Sequence, residues 1–165
     1  MLWGRCPLVL LYLCSTLYHA FPEGRARAVL LRLDHGAIYL FIAGSFTPFA
    51  MISLDSFSGW ALLSLVWLLA ATGFILKAYG WLSHAVISTG LYLLMGWAVL
   101  AIAAPLIPRL PQAGQDWLIA GGVAYTVGVI FFALDSRVRY AHAVWHGFVV
   151  AGTSCHFVAV LGLNR

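Results

Sequence analysis

The sequence predicts an all-α polytopic membrane protein, a single helical domain over residues 1–165 with six spans, and three observations predict it. Of its 165 residues, 63% are hydrophobic and only 8% are charged. A soluble domain carries about 25% charged residues, so this chain cannot cover a globular surface with polar groups. Its apolar residues fall into six runs, each close to the roughly 20 residues a helix needs to cross about 30 Å of hydrocarbon. The connectors between runs are short and rich in turn residues.

The first run, 3–21, opens with Arg5 ahead of the apolar stretch Pro7 to Tyr18. That order is also the charged start and apolar centre of a signal peptide. No A-x-A cleavage pattern follows it, and His19 and a basic segment do, so the run reads as a span. The break Pro22-Glu23-Gly24 and three arginines lead to the second run, 34–54, which opens on Asp34. Asp55-Ser56 separates it from the third run, 57–76. The fourth, 84–104, starts at His84 and stops at the proline-rich segment 105–111. The fifth covers 117–134, and the sixth, 140–163, opens with His142-Ala-Val-Trp-His146.

Positive residues in short loops stay on the cytoplasmic side. Arg25, Arg27, Arg32, Lys77, Arg137 and Arg139 lie in the odd-to-even connectors, against Arg5, Arg109 and Arg165 on the other side. This asymmetry places both chain ends outside a plasma membrane, expected to be a bacterial inner membrane. His19 then ends an inward-running helix, while Asp34, His142 and His146 begin outward-running ones. Four groups distant in sequence are expected at one depth, near the inner face.

Ionisable groups in a bilayer-spanning chain cost free energy unless they are paired, hydrated or bound. Histidines four apart share a helix face, so His142 and His146 can offer two imidazoles to one ion. A catalytic zinc needs a third protein ligand and an open position for water. His19 is the expected third. Asp34 could bind the metal or act as general base, and Ser15, one turn from His19, could hydrogen-bond the water. An H-x-x-x-H pair alone is more often two interfacial histidines, and a lone serine more often packs helices. The shared depth of His19 and Asp34 tips the reading to Zn2+.

The other features read as structural. His35 and His84 suit interfacial contacts, and His156 lies about 15 Å beyond His146 along the helix, too far to join it. Ala143, Gly147, Ala151 and Cys155 form a smooth stripe for close helix packing. Trp3, Trp60, Trp81, Trp117 and Trp145 fall near span ends, as an interfacial belt does. Cys6, Cys14 and Cys155 have neither metal nor disulfide spacing. The net charge of +4 fits inward loops on anionic lipid and does not point to nucleic acid. Membrane lipid is the expected partner, possible substrate included; protein partners are not legible.

Several segments together resemble one family: Ser15-x-x-x-His19, Leu33-Asp34-His35-Gly36-Ala37-Ile38 running into Gly44-Ser45-Phe46-Thr47-Pro48-Phe49, Gly90 to Trp97, and His142-Ala-Val-Trp-His146 to His156-Phe157. In order and over essentially the whole chain they are similar to the hemolysin III family, which belongs with the progestin and adipoQ receptors. The resemblance implies a zinc site near the cytoplasmic face, with zinc histidines at His19, His142 and His146 and the serine and aspartate at Ser15 and Asp34. It also implies seven helices with an inward amino terminus. Six are read here, and the family's first helix, with its Glu- and Asn-containing motif, has no counterpart. The outward amino terminus derived from charge agrees with that loss.

Eukaryotic members of the resembled group are linked to hydrolysis of ceramide-type amides, and bacterial ones carry a name from haemolysis. The first expectation is therefore a zinc-dependent hydrolase of a lipid amide or ester, ceramidase-like. The alternatives are a receptor or regulator with structural zinc and a pore-forming cytolysin.

Overall fold

The computed structural model describes residues 5–51, 57–103, 107–109 and 111–162. Among these are six α-helices and no strand: α1 (Arg5–Ala20), α2 (Arg25–Ala50), α3 (Phe57–Ala78), α4 (Ala85–Ala103), α5 (Gln112–Ala133) and α6 (Ala141–Gly162). A 3-10 turn, Ile107–Arg109, lies between α4 and α5. Four helices are long and apolar enough to cross a membrane: α2, α3 from Gly59, α5 and α6. The apolar parts of α1 and α4 are shorter, Pro7–Ala20 and Val86–Ala101. The chain is an integral membrane protein of the polytopic helical class. Trp3, Asp55, Ser56, Pro105 and Arg165 lie outside the described residues.

All six expected spans appear as helices, but two starts move: α5 begins at Gln112, five residues ahead of the expected 117, and α2 moves further. α2 starts at Arg25, nine residues ahead of the expected head at Asp34. The segment Arg25-Ala-Arg-Ala-Val-Leu-Leu-Arg is built of strong helix formers, so the helix forms before its apolar section begins. Asp34 therefore sits in the third turn of α2, 5% exposed, and does not open the helix.

The chain divides into two compact units, 1–84 and 85–165. In the first, α2 packs against both α1 and α3. Lipid tails are as apolar as leucine, so helices associate through close packing and a few polar tethers. Gly44 of α2 lies directly against the Pro7 ring, and Gly73 of α3 receives the Tyr39 ring, where an added Cβ would come within 2.6 Å of Tyr39. Trp67 Nε1–H donates to Thr47 Oγ1 at 3.1 Å, and that hydroxyl in turn donates to the Ala43 carbonyl at 2.8 Å. Such interhelical bonds average about 0.6 kcal/mol, so the glycine contacts dominate this packing.

α3 ends in a Schellman motif. Gly80 has φ 79°, its N–H donates to the Lys77 carbonyl, and the Trp81 N–H reaches back to Leu76. This pairs two terminal carbonyls that would otherwise be orphaned. Lys77 Nζ donates to the Leu82 carbonyl at 2.9 Å, closing the turn from the side-chain direction.

In the second unit α5 packs along α6, and α4 against α5. The buried face of α6 carries Ala141, Trp145, Val149, Gly152 and Ala159. Gly152 accepts the Tyr125 ring and Gly121 accepts His156. Thr153 Oγ1 donates to the Val149 carbonyl at 2.7 Å, so the 3.0 Å contact with Tyr125 Oη is a bond that the phenol donates. Two expectations are corrected here. Ala143, Gly147 and Ala151 are exposed, because Trp145, seated on Gly128 of α5, and Val149 take the buried face. Trp145 is 8% exposed, packed on Gly128 and 5.1 Å from the Phe132 ring, so it is no interfacial residue. Trp60, Trp81 and Trp117 are exposed as a belt requires.

Gly152→Leu should lower the thermal unfolding midpoint in detergent, with an overpacking cost of about 1–3 kcal/mol. Gly147→Leu, whose added Cβ meets nothing within 4 Å, should not lower the midpoint, since the change also removes a helix-interior glycine. Gly80→Ala should cost about 1–2 kcal/mol through its left-handed backbone alone, measured by denaturant titration of tryptophan fluorescence.

Candidate metal centre

The site residues expected from sequence divide between the two units, with Ser15, His19 and Asp34 in the first and His142 and His146 in the second. Each set has its own geometry. Among the described residues, neither unit by itself gathers three His, Cys, Asp or Glu side chains into a group able to hold a metal ion.

In the first unit, Ser15 is buried in α1 at 4% exposure. His19, one turn on, is exposed on the last turn, its ring centroid 4.7 Å from that of Tyr18. Asp34 faces α1 closely enough to act electrostatically on the buried thiol of Cys14. That interaction places Asp34 near the level of Cys14 and its neighbour Ser15, which is four residues, about 6 Å, from His19 along α1. The buried carboxylate and the buried hydroxyl thus lie at similar depth, with the imidazole nearer the helix end. His35 is half-buried and His84 is exposed just ahead of α4.

In the second unit the two histidines of α6 meet. His142 Nε2 and His146 Nε2 are 3.1 Å apart, with ring centroids 4.7 Å apart and planes at 78°. A tetrahedral zinc with Zn–N bonds of about 2.0–2.1 Å holds its nitrogens roughly 3.3 Å apart. Two of the three expected ligands, His142 and His146, therefore have a spacing that one zinc ion could bridge, and the same 3.1 Å is that of an N–H···N hydrogen bond between the rings. The i, i+4 register brings them together, and Trp145, buried against Gly128 and Phe132 of α5, fixes the rotation of the helix that presents them.

A third group was missed from sequence. Asp135 Oδ2 lies 3.1 Å from His142 Nδ1. An ionised carboxylate only accepts, so His142 donates Nδ1–H to it, and in the neutral ring Nε2 is then the bare nitrogen turned toward His146. The connector 134–140 that carries Asp135 is a run of turns. Arg137 N–H and Val138 N–H both donate to the Leu134 carbonyl at 2.9 Å, and Ala141 N–H donates to Val138 at 3.1 Å. Tyr140 has φ 67°, a left-handed conformation unusual for a bulky residue. It costs about 1–2 kcal/mol, which the turn hydrogen bonds around it offset. The sequence signal was available: an acid one residue past a span, seven before a histidine, across a short connector.

A model of the family described as Haemolysin-III related matches residues 5–157. Hemolysin-3 of Bacillus cereus is 42% identical over 154 residues, covering 93% of this chain and 70% of that protein. The Hemolysin-3 homolog of Bacillus subtilis (strain 168) is 39% identical over 154 residues, covering 93% and 72%. Monocyte to macrophage differentiation factor of Homo sapiens is 30% identical over 166 residues, covering 95% and 66%. No solved structure matches the chain. With a family match running through all six helices and relatives this similar, the chain belongs to the Haemolysin-III related family.

Proposed function

We propose that this membrane protein is a zinc-dependent hydrolase acting on an amide or ester of a membrane lipid. The observation that supports it is the Nε2–Nε2 approach of 3.1 Å between His142 and His146, two imidazoles at the head of an apolar helix, where ionisable groups default to a functional role. His142 and His146 are two proposed ligands and His19 the third. Zinc held by these three histidines would supply Lewis acidity and a water acidified toward neutral pH. Asp34 is the proposed general base and Ser15 a hydrogen-bonding partner for the attacking water; both are buried in the apolar unit that carries them. Burial there excludes bulk water and strengthens each electrostatic contact. The membrane supplies a lipid substrate directly from the bilayer, and the proposed setting is a bacterial inner membrane with the site near its cytoplasmic face.

A second reading rests on the names of two relatives, Hemolysin-3 and Hemolysin-3 homolog: a cytolysin that breaches membranes. Dye release from liposomes by the purified chain, undiminished by His142→Ala, would favour lysis over hydrolysis. A receptor with structural zinc would instead keep its metal with the fourth position filled by protein, and would release no lipid product.

Two measurements test the hydrolase. Metal analysis of purified wild-type protein should find about one zinc per chain, the stoichiometry of a three-histidine site, and His142→Ala and His146→Ala should each lose most of it. Zinc content unchanged in both variants would remove the metal from the account. Asp34→Ala should keep its zinc while lipid hydrolysis falls by about 10²–10⁴; full activity in that variant would exclude Asp34 as the base.

A further inference from the structure

We propose that Asp135 is a positioning residue for a divalent cation: its carboxylate holds His142 as the Nδ1–H tautomer and turns Nε2 toward the ion. This rests on the reading of His142 and His146 as zinc ligands, and it adds a group outside that ligand set. Three observations carry it. The Asp135 Oδ2 to His142 Nδ1 distance is 3.1 Å, on the ring edge opposite the one that meets His146. The donor direction is fixed, since the carboxylate has no proton to give. The acid is also held by its backbone, because Asp135 N–H donates to the Phe132 carbonyl at 3.3 Å and the turns after it are hydrogen-bonded into α6.

A bland reading is a surface ion pair. Asp135 is 46% exposed and His142 20%, and such pairs contribute little to stability. The two readings therefore separate cleanly. A surface pair would leave metal binding untouched, whereas a ring-setting carboxylate raises the basicity of the ligand nitrogen and stops the ring from flipping its tautomer. Little of the effect should appear in stability. Nearly all of it should appear in cation affinity and in the protonation pattern of one ring.

The test uses the full-length chain in detergent, zinc ion as the probe and a competing chelator to read affinity. Asp135→Ala and the isosteric Asp135→Asn should bind zinc about 10–100-fold more weakly than wild type, with unchanged thermal midpoints. Asp135→Glu should recover part of the loss, and Ser136→Ala should change nothing. Nitrogen-15 spectra of metal-free, histidine-labelled protein, assigned with His142→Gln, should show His142 protonated at Nδ1 in wild type and mixed between tautomers in Asp135→Ala. Equal zinc affinity in wild type and both variants, with an unchanged His142 spectrum, overturns the proposal. If wild type binds no zinc, the ligand reading fails, and the nitrogen-15 comparison still decides whether Asp135 sets the ring. A wild-type ring already mixed between tautomers would sink that role as well.

Discussion

The hydrogen-bonded row Asp135–His142–His146 is the interaction on which the functional account depends. Two imidazoles on one face of an apolar helix have few ways to satisfy four ring nitrogens. Here the carboxylate takes one ring proton, and the two Nε2 atoms face each other at 3.1 Å. That row turns a common pattern, H-x-x-x-H, into a pair with a chelate's spacing. It also explains the surrounding construction: Trp145 wedged against Gly128 fixes the helix, and the turns of residues 134–140 fix the acid.

The same economy appears in the first unit, where the polar groups are few and deep. Asp34 and Ser15 are buried on α2 and α1, which pack together. Burying a carboxylate is expensive unless it is paired or hydrated, so a chain with five acidic residues in all would not place one there for packing. Close glycine contacts, Gly44 on Pro7 and Gly73 on Tyr39, bring the backbones near enough for such groups to share an environment.

Much of this was legible in the sequence because the bilayer imposes a simple length rule. Six apolar runs became six helices, and the histidine pair was where its register put it. Boundaries outside the lipid-like section were less legible. Arg25 to Arg32 is polar by composition yet helical by propensity, so hydropathy located the apolar section of α2 and missed its first turns. The packed face of α6 was misread because small residues fit any close contact, and only a glycine on the facing helix, Gly128, gives Trp145 its room to turn inward. Asp135 stands one residue past a span and seven before His142, but its contact with that ring rests on a connector of turns with a left-handed Tyr140, a conformation that no residue preference announces.

One measurement reaches the centre of the account: X-ray absorption at the zinc edge on the purified, zinc-loaded chain. The account predicts a first shell of light N/O atoms near 2.0–2.1 Å, with the outer-shell scattering of imidazole rings, about three of them, and loss of that signature in the His142→Ala/His146→Ala double variant. A shell without imidazole scattering, or a signature that survives the double variant, would contradict it.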